Sequence, residues 1–235
     1  MELIKRKRQK LKLKFIILLI FVLLGGSIVF KDFVSSQSYT GSESETQERL
    51  KSDNQEASPT ILIDPGHGGE DPGSIGFSEI LEKDLTLETS KILFEKLKEA
   101  GVDVKLTRED DRYVSLDERV DLVETYNADA LISIHFDSFP DDRSVGGFTT
   151  FYQHKFQKGL GKSINNSLNQ SLTLRDRGLK SGDLKVIREI DIPGVLLELG
   201  YISNPQEESL IHSEEFKQDV STAIFNGIMS YLNKR

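Results

Sequence analysis

Cysteine is absent from all 235 residues of the chain. Disulfides and thiolate metal sites are therefore excluded, and any bound metal must be held through His, Asp or Glu. A cysteine-free composition also fits an exported bacterial protein. Tryptophan is missing too, and aromatic residues are only 8%, yet the aliphatic residues suffice for one core in one domain of ordinary size. Internal repeats are lacking, as is any sign of a second folded domain. Basic charge is scarce beyond residue 31. Of the net charge of −8, residues 1–31 contribute +7 from eight basic and one acidic side chain, and the remaining 22 basic and 37 acidic residues give −15. An acidic body of this kind excludes nucleic acid as a partner, because neutralising phosphates needs a surplus of Lys and Arg.

The basic block belongs to a membrane question. Lys5, Arg6, Lys7, Arg8, Lys10, Lys12 and Lys14 precede an uncharged run from Phe15 to Phe30, roughly 24 Å long as a helix. Lys14 and Lys31 can snorkel from its two ends, and the basic side should stay cytoplasmic. Residues 1–31 are therefore expected to be a signal-anchor that leaves the rest of the chain outside the cytoplasm. The alternative is a signal peptide cleaved near Gly25-Gly26-Ser27, which would release the protein to the cell wall. Residues 32–59 are rich in Ser, Thr, Gln and Glu and cannot bury enough apolar surface to offset their ordering entropy, which predicts a flexible extracytoplasmic linker.

Residues 60–235 read as one α/β domain, a mostly parallel twisted sheet of about six strands flanked by helices. Ile61 to Ile63 is a short buried strand ending at Asp64-Pro65-Gly66, with His67 directly behind it and Gly68-Gly69 following. A helix begins near Glu82, carries Leu85, Ile92, Leu93 and Leu97 on one side, and stops at Gly101. Val102 to Thr107 is a strand. Ser115 and Glu118 form a capping box for a helix from Leu116 to about Tyr126. Ala130 to Ile134 is a second buried strand that delivers His135. Further strands are expected at Phe148 to Tyr152, Leu184 to Arg188 and Gly194 to Leu199, with a helix from Phe156 to about Leu172. Gly178, Gly182 and Asp183 are assigned to turns. Asn204 with Pro205 starts a short helix and Ser213 caps the last one.

Four residues stand out: His67, Glu82, His135 and Glu198. Three of them lie at or near strand carboxyl ends, where open α/β sheets form their ligand clefts. Two imidazoles and one carboxylate, with a fourth position left for water, are a common ligand set of hydrolytic zinc. A second carboxylate must then take a proton from water and hand it to the leaving amine. Glu198, a lone acid in an apolar strand, fits that role, because burial near a cation tunes a carboxyl group. Glu79 is a rival to Glu82 as ligand. Asp64 either orients a ligand His or ends its strand, and Asp64 and Arg188 are candidate substrate-binding residues. Arg108 binds an anionic group or forms a surface ion pair. His154 and His212 are read as solvent-exposed.

Asp64-Pro-Gly-His-Gly-Gly69, Glu82-Lys-Asp84, Thr107-Arg108, Ser133-Ile-His135 and Leu197-Glu-Leu-Gly-Tyr-Ile-Ser-Asn204 occur in the order seen in zinc-dependent N-acetylmuramoyl-L-alanine amidases. Residues 60–233 resemble the amidase-3 family of peptidoglycan amidases. The resemblance implies zinc held by His67, Glu82 and His135, catalysis by Glu198, and peptidoglycan as substrate. It also implies cleavage between the muramic acid lactyl group and the L-Ala of the stem peptide. Phe136-Asp137-Ser138 departs from the small residues many relatives carry there. Asp137 to Gly147 is too short for the autoinhibitory helix that some relatives insert, which predicts an open site. No wall-binding repeat is visible, so the linker and the membrane segment would localise a monomeric catalytic domain. A zinc peptidase or deacetylase, or a non-catalytic wall-binding module, are the competing readings.

Overall fold

A computed structural model describes residues 58–234. The membrane segment and most of the linker inferred from the sequence lie outside the described residues. No helix among the described residues is long and apolar enough to cross a membrane. The elements are β1 (Thr60–Pro65), α1 (Glu82–Glu99), β2 (Asp103–Leu106), α2 (Leu116–Thr125), β3 (Ala130–Asp137), β4 (Phe148–Tyr152), α3 (Lys158–Ser171), β5 (Asp176–Ser181), α4 (Lys185–Arg188), β6 (Gly194–Tyr201), α5 (Pro205–Ile211) and α6 (Glu214–Leu232). They build a six-stranded sheet in the order β2-β1-β3-β6-β4-β5. β1 runs parallel to β2 and β3, and β3 parallel to β6, whereas β4 is antiparallel to β6 and carries β5 parallel to itself.

The period-2 alternation of each strand divides two cores between the sheet's faces. Ile61, Ile63, Ile132, Ile134, Val195 and Leu197 join Leu93, Leu97, Leu160, Ile164, Val220 and Ile224 in the larger core, under the long helices α1, α3 and α6. Each such side chain contributes about 1.5–3 kcal/mol by leaving water, so most of the hydrophobic stabilisation lies on this face. Leu62, Leu131 and Leu196 point the other way, to a smaller core with Val123, Val186 and Ile187 under the short helices α2 and α4. The expected N-caps form, but the capping box at Ser115 is only half made, because the Glu118 carboxylate pairs with Arg112 at 3.0 Å. Ser115 Oγ accepts from the Glu118 N–H at 3.1 Å, Asn204 Oδ1 from the Gln206 N–H at 3.0 Å, and Ser213 Oγ from the Phe216 N–H at 3.2 Å.

One strand differs from expectation. Leu184 to Arg188 is not a strand: Leu184 caps the helical turn α4, which buries Val186 and Ile187 in the smaller core. The sixth strand is instead β5, in a stretch assigned to turns. No residue of β5 is fully buried, so no apolar run marks it. Gly178, with φ of 92°, sits where its register against β4 shifts, as expected of glycine at a bulge.

The strand order fixes where a ligand can sit. From β1 the chain steps to β2 on one side and then returns to β3 on the other. The carboxyl ends of β1 and β3 therefore flank the point where the connections diverge, which is where open α/β sheets open a crevice. His67 follows the first of these ends, and His135 stands within β3 two residues before the second.

Candidate metal centre

Gly66 follows β1, and a Cβ on it would lie 2.2 Å from the His135 ring. Only glycine at this position lets the His67 and His135 rings stand edge to face with centroids 4.9 Å apart. His67 has φ of 59°, a left-handed conformation that a residue with a Cβ adopts only when its surroundings impose it. Two buried arginines impose it. Arg119 donates from Nη1 to the Pro65 carbonyl at 2.7 Å and from Nη2 to the His67 carbonyl at 2.7 Å. Arg108 donates from Nε to the Pro65 carbonyl at 3.1 Å and from Nη2 to the Gly66 carbonyl at 2.8 Å. Three successive carbonyls of the loop are thus held by guanidinium groups that are 3% and 1% exposed.

Glu82 opens α1, where a carboxylate also suits the helix dipole. Its Oε2 accepts from the Ser74 N–H at 2.8 Å and its Oε1 from the Phe136 N–H at 3.1 Å. The same Oε1 lies 3.1 Å from His67 Nε2 and 3.0 Å from His135 Nδ1. The other nitrogen of His67, Nδ1, meets Asp71 Oδ2 at 2.8 Å, which fixes the tautomer that leaves Nε2 free to ligate. One donor atom from each of His67, Glu82 and His135 lies within 4.8 Å of the others, close enough to share an ion. The proton chemistry points the same way. Burial alone would raise the Glu82 carboxyl, but hydrogen bonds and charge from His135 and His67 hold it far below the usual carboxylate range. Burial alone would lower His67, but Glu82 and Asp71 raise it. A divalent cation bound to two imidazoles and a carboxylate could take the place of the protons that these groups share. In a chain without thiolates this donor set suits zinc.

Glu198 stands across the ladder from His135, its register partner on β6, on the sheet face shared with Leu196. Its Oε2 is shut off from solvent and has no hydrogen-bond partner among the described residues. Burial, reinforced by the nearby charges of Glu82 and Asp137, pushes its carboxyl well above the ordinary value. His67, His135 and Glu198 line both parts of an open cleft. One part, of 280 Å³, is walled by Tyr113, Leu116, Leu184 and Val186. The other, of 420 Å³, is walled by Ser74, Glu82, Asp137 and Ser138. No helix forms in the loop between Asp137 and Phe148.

A family model described as N-acetylmuramoyl-L-alanine amidase matches residues 61–230. The chain belongs to the amidase-3 family. It is 42% identical over 176 residues to the "Probable cell wall amidase LytH" of Staphylococcus epidermidis, a match covering 74% of this chain and 58% of that relative. The catalytic domain of CwlV, an N-acetylmuramoyl-L-alanine amidase from Bacillus (Paenibacillus) polymyxa, superposes with a TM-score of 0.73 at 35% identity, covering 75% of this chain and 99% of that one. The amidase AmiC2 of Nostoc punctiforme gives 0.72 at 34% identity, covering 74% and 97%. The amidase-3 match thus takes in nearly all of the described domain.

The other residues singled out in the sequence lie in varied places. Glu79 is exposed and outside the donor cluster. Asp64 is fully buried, with Oδ1 receiving Thr107 Oγ1 at 2.7 Å and Arg119 Nη1 at 2.5 Å, and Oδ2 receiving Ser133 Oγ at 2.8 Å. Asp64 lines the 280 Å³ part of the cleft, but both its oxygens are engaged by Thr107, Arg119 and Ser133, so it supports the loop that carries His67. Arg188 lines neither part of the cleft; its guanidinium pairs with Asp183 at 2.8 Å and Glu189 at 2.9 Å. Arg108 is buried rather than at the surface. His154 is half-buried, with Nε2 2.9 Å from the Arg188 carbonyl, while His212 is exposed. Sequence reasoning missed Asp71 and Arg119. Asp71 carries no local signal beyond lying four residues after His67. Arg119 does carry one, since it shares the inward register of α2 with Val123, four residues on.

Proposed function

We propose that this chain is a zinc-dependent N-acetylmuramoyl-L-alanine amidase acting on peptidoglycan. It would hydrolyse the amide between the muramic acid lactyl group and the L-Ala of the stem peptide. His67, Glu82 and His135 are the metal ligands in this reading, and Glu198 is the general base and acid. Zinc bound by that triad would polarise the scissile carbonyl and lower the pKa of water.

The observation that carries the reading is the unpartnered Oε2 of Glu198 beside three clustered donors. A buried carboxylate oxygen with no partner is costly, and such a group persists where it has work to do on a substrate. Glu198 takes a proton from the attacking water and delivers it to the amide nitrogen as the C–N bond breaks. Its elevated proton affinity suits the delivery, and the carboxylate form suits the removal. The Arg108 and Arg119 hydrogen bonds keep His67 in place throughout, and Asp71 keeps its ring in the ligating tautomer. The relatives named as amidases support the substrate assignment. In the same reading, residues 1–31 anchor the chain as a signal-anchor, residues 32–59 form a linker, and residues 60–235 work outside the cytoplasm as a monomer.

The test is product analysis of purified peptidoglycan digested by the full chain, with and without a chelator. The expected products are free L-Ala amino termini and muramic acid with a free lactyl carboxylate, formed only without chelator. Cleavage elsewhere in the stem peptide would make the protein a peptidase. Release of acetate would make it a deacetylase, and absence of any product would leave the binding module.

A further inference from the structure

We propose that Asp137 accepts a hydrogen bond from the N–H of the scissile amide and then holds the ammonium group of the freed peptide. The inference rests on the amidase reading and assigns a second carboxylate of the same cleft.

Phe136 is buried in the larger core, so His135 and Asp137 project from the opposite face of β3. The ladder with β6 slips between them: His135 pairs with Glu198, but Asp137 pairs with Tyr201. Two steps along β3 thus answer three along β6. A bulge beside a site re-aims a side chain, and here it sets Tyr201 against Asp137. Burial and the Asp137 carboxylate beside it push the Tyr201 hydroxyl up to about 12, while the Arg177 guanidinium covers the Tyr201 ring, 5.1 Å from its centroid. Asp137 Oδ1 accepts from the Ser138 N–H at 2.8 Å. A carboxylate offers about four lone-pair sites, and the Ser138 N–H with the Tyr201 hydroxyl nearby leaves acceptor capacity toward the cleft that Asp137 lines with Glu198, His67 and Glu82.

The reaction needs an acceptor there. Water oxygen forms the new C–O bond to the lactyl carbon, and the C–N bond breaks with its electron pair moving to nitrogen. Glu198 carries one water proton to that nitrogen, giving an acid and an amine. The acid then loses its remaining proton, and the products end as lactyl carboxylate and ammonium. The nitrogen starts with one N–H and finishes cationic. An acceptor that grips the N–H turns the emerging lone pair toward Glu198, and a carboxylate grips the cation more strongly than it gripped the amide. Of the five acidic groups of the cleft, Asp64 is taken by Thr107, Arg119 and Ser133, Glu82 and Asp71 are taken by the histidines, and Glu198 moves the proton. Asp137 remains for the nitrogen.

The experiment compares a muramoyl-peptide substrate with its ester isostere, in which oxygen replaces the scissile N–H. Asp137→Ala is expected to lower kcat/KM for the amide by about 10- to 100-fold, the range for a hydrogen bond to a charged group, and to leave the ester within about twofold of wild type. Asp137→Asn keeps an acceptor oxygen but loses the charge, so it should recover only part of the amide activity. A readout independent of turnover uses the Glu198→Ala background. There, Asp137→Ala should weaken calorimetric binding of the intact muramoyl-peptide while zinc content stays unchanged. Equal losses on amide and ester, loss of zinc from Asp137→Ala, or no loss at all would each overturn the assignment. A wild-type protein that cleaves neither substrate would overturn the amidase reading itself, a separate result.

Discussion

On one face of the sheet, Ile61, Ile63, Ile132, Ile134, Val195 and Leu197 meet three long helices in a large apolar cluster. On the other face the same three strands carry Asp64, Ser133, His135 and Glu198 beneath two short helices, beside a far smaller apolar cluster. The strands are shared and their alternation is the same, so backbone geometry does not account for the contrast. The larger core supplies stability in amounts that allow the second face to keep costly groups: a buried Asp64, two buried arginines and an unpartnered Glu198 oxygen. Within that second face there is a further division. Asp64, Arg108 and Arg119 are satisfied by one another or by backbone, and they hold the loop of His67. Glu198 is left unsatisfied. A fixed scaffold around one reactive group is the arrangement that preorganised catalysis requires.

The strongest way to break the contrast is to remove a donor. His135→Ala should lose both bound zinc and amidase activity to background while its circular dichroism spectrum stays native. Elemental analysis and a muropeptide assay check this, and full zinc content would contradict the ligand assignment. Next in size is a matched pair of core changes. Arg119→Met should cost about 3–5 kcal/mol, because it strands a buried Asp64 charge, and Ile132→Ala about 2–5 kcal/mol through the cavity it leaves. Denaturant melts should show similar losses. Only Arg119→Met should also weaken zinc affinity in the folded population, because only it releases the His67 carbonyl. Equal zinc affinities would mean that the two faces are not specialised.

Much of this could be read in advance, and the failures have physical causes. His67 and His135 each follow an apolar strand, and Glu198 interrupts one, so period-2 patterning exposes them directly. Glu82 is legible at a helix start. Arg119 is not marked by composition, because its burial depends on where α2 docks, although its register with Val123 points to an inward position. Asp71 lies in a glycine-rich loop without periodicity, where sequence spacing says little about distance. β5 escaped notice because an edge strand packed on one side needs no apolar run.

Smaller effects sharpen the picture. Asp71→Ala should weaken zinc binding by about 10- to 100-fold, the usual effect of losing a partner that orients a ligand His, as measured by competition with a chromogenic chelator. An unchanged affinity would remove Asp71 from the site. The smallest effect concerns Glu198 in metal-free protein. Burial raises its folded-state carboxyl well above the ordinary value of 4.5, so the folded state binds the proton more tightly than the unfolded chain. That contribution is fully present below 4.5 and is lost as pH rises through the folded value. Glu198→Gln should therefore melt higher than wild type at pH 8, with the difference closing toward pH 4. A variant less stable than wild type at pH 8 would show that the carboxylate is satisfied after all.

The central claim is that three side chains hold the metal and a fourth moves the proton. Zinc stoichiometry and release of L-Ala amino termini, measured side by side in Glu198→Ala, test it most directly. The account predicts wild-type zinc content with hydrolysis reduced by about 10²- to 10⁴-fold, the range for loss of a general acid–base group. Wild-type hydrolysis in that variant, or loss of its zinc, would contradict the assignment.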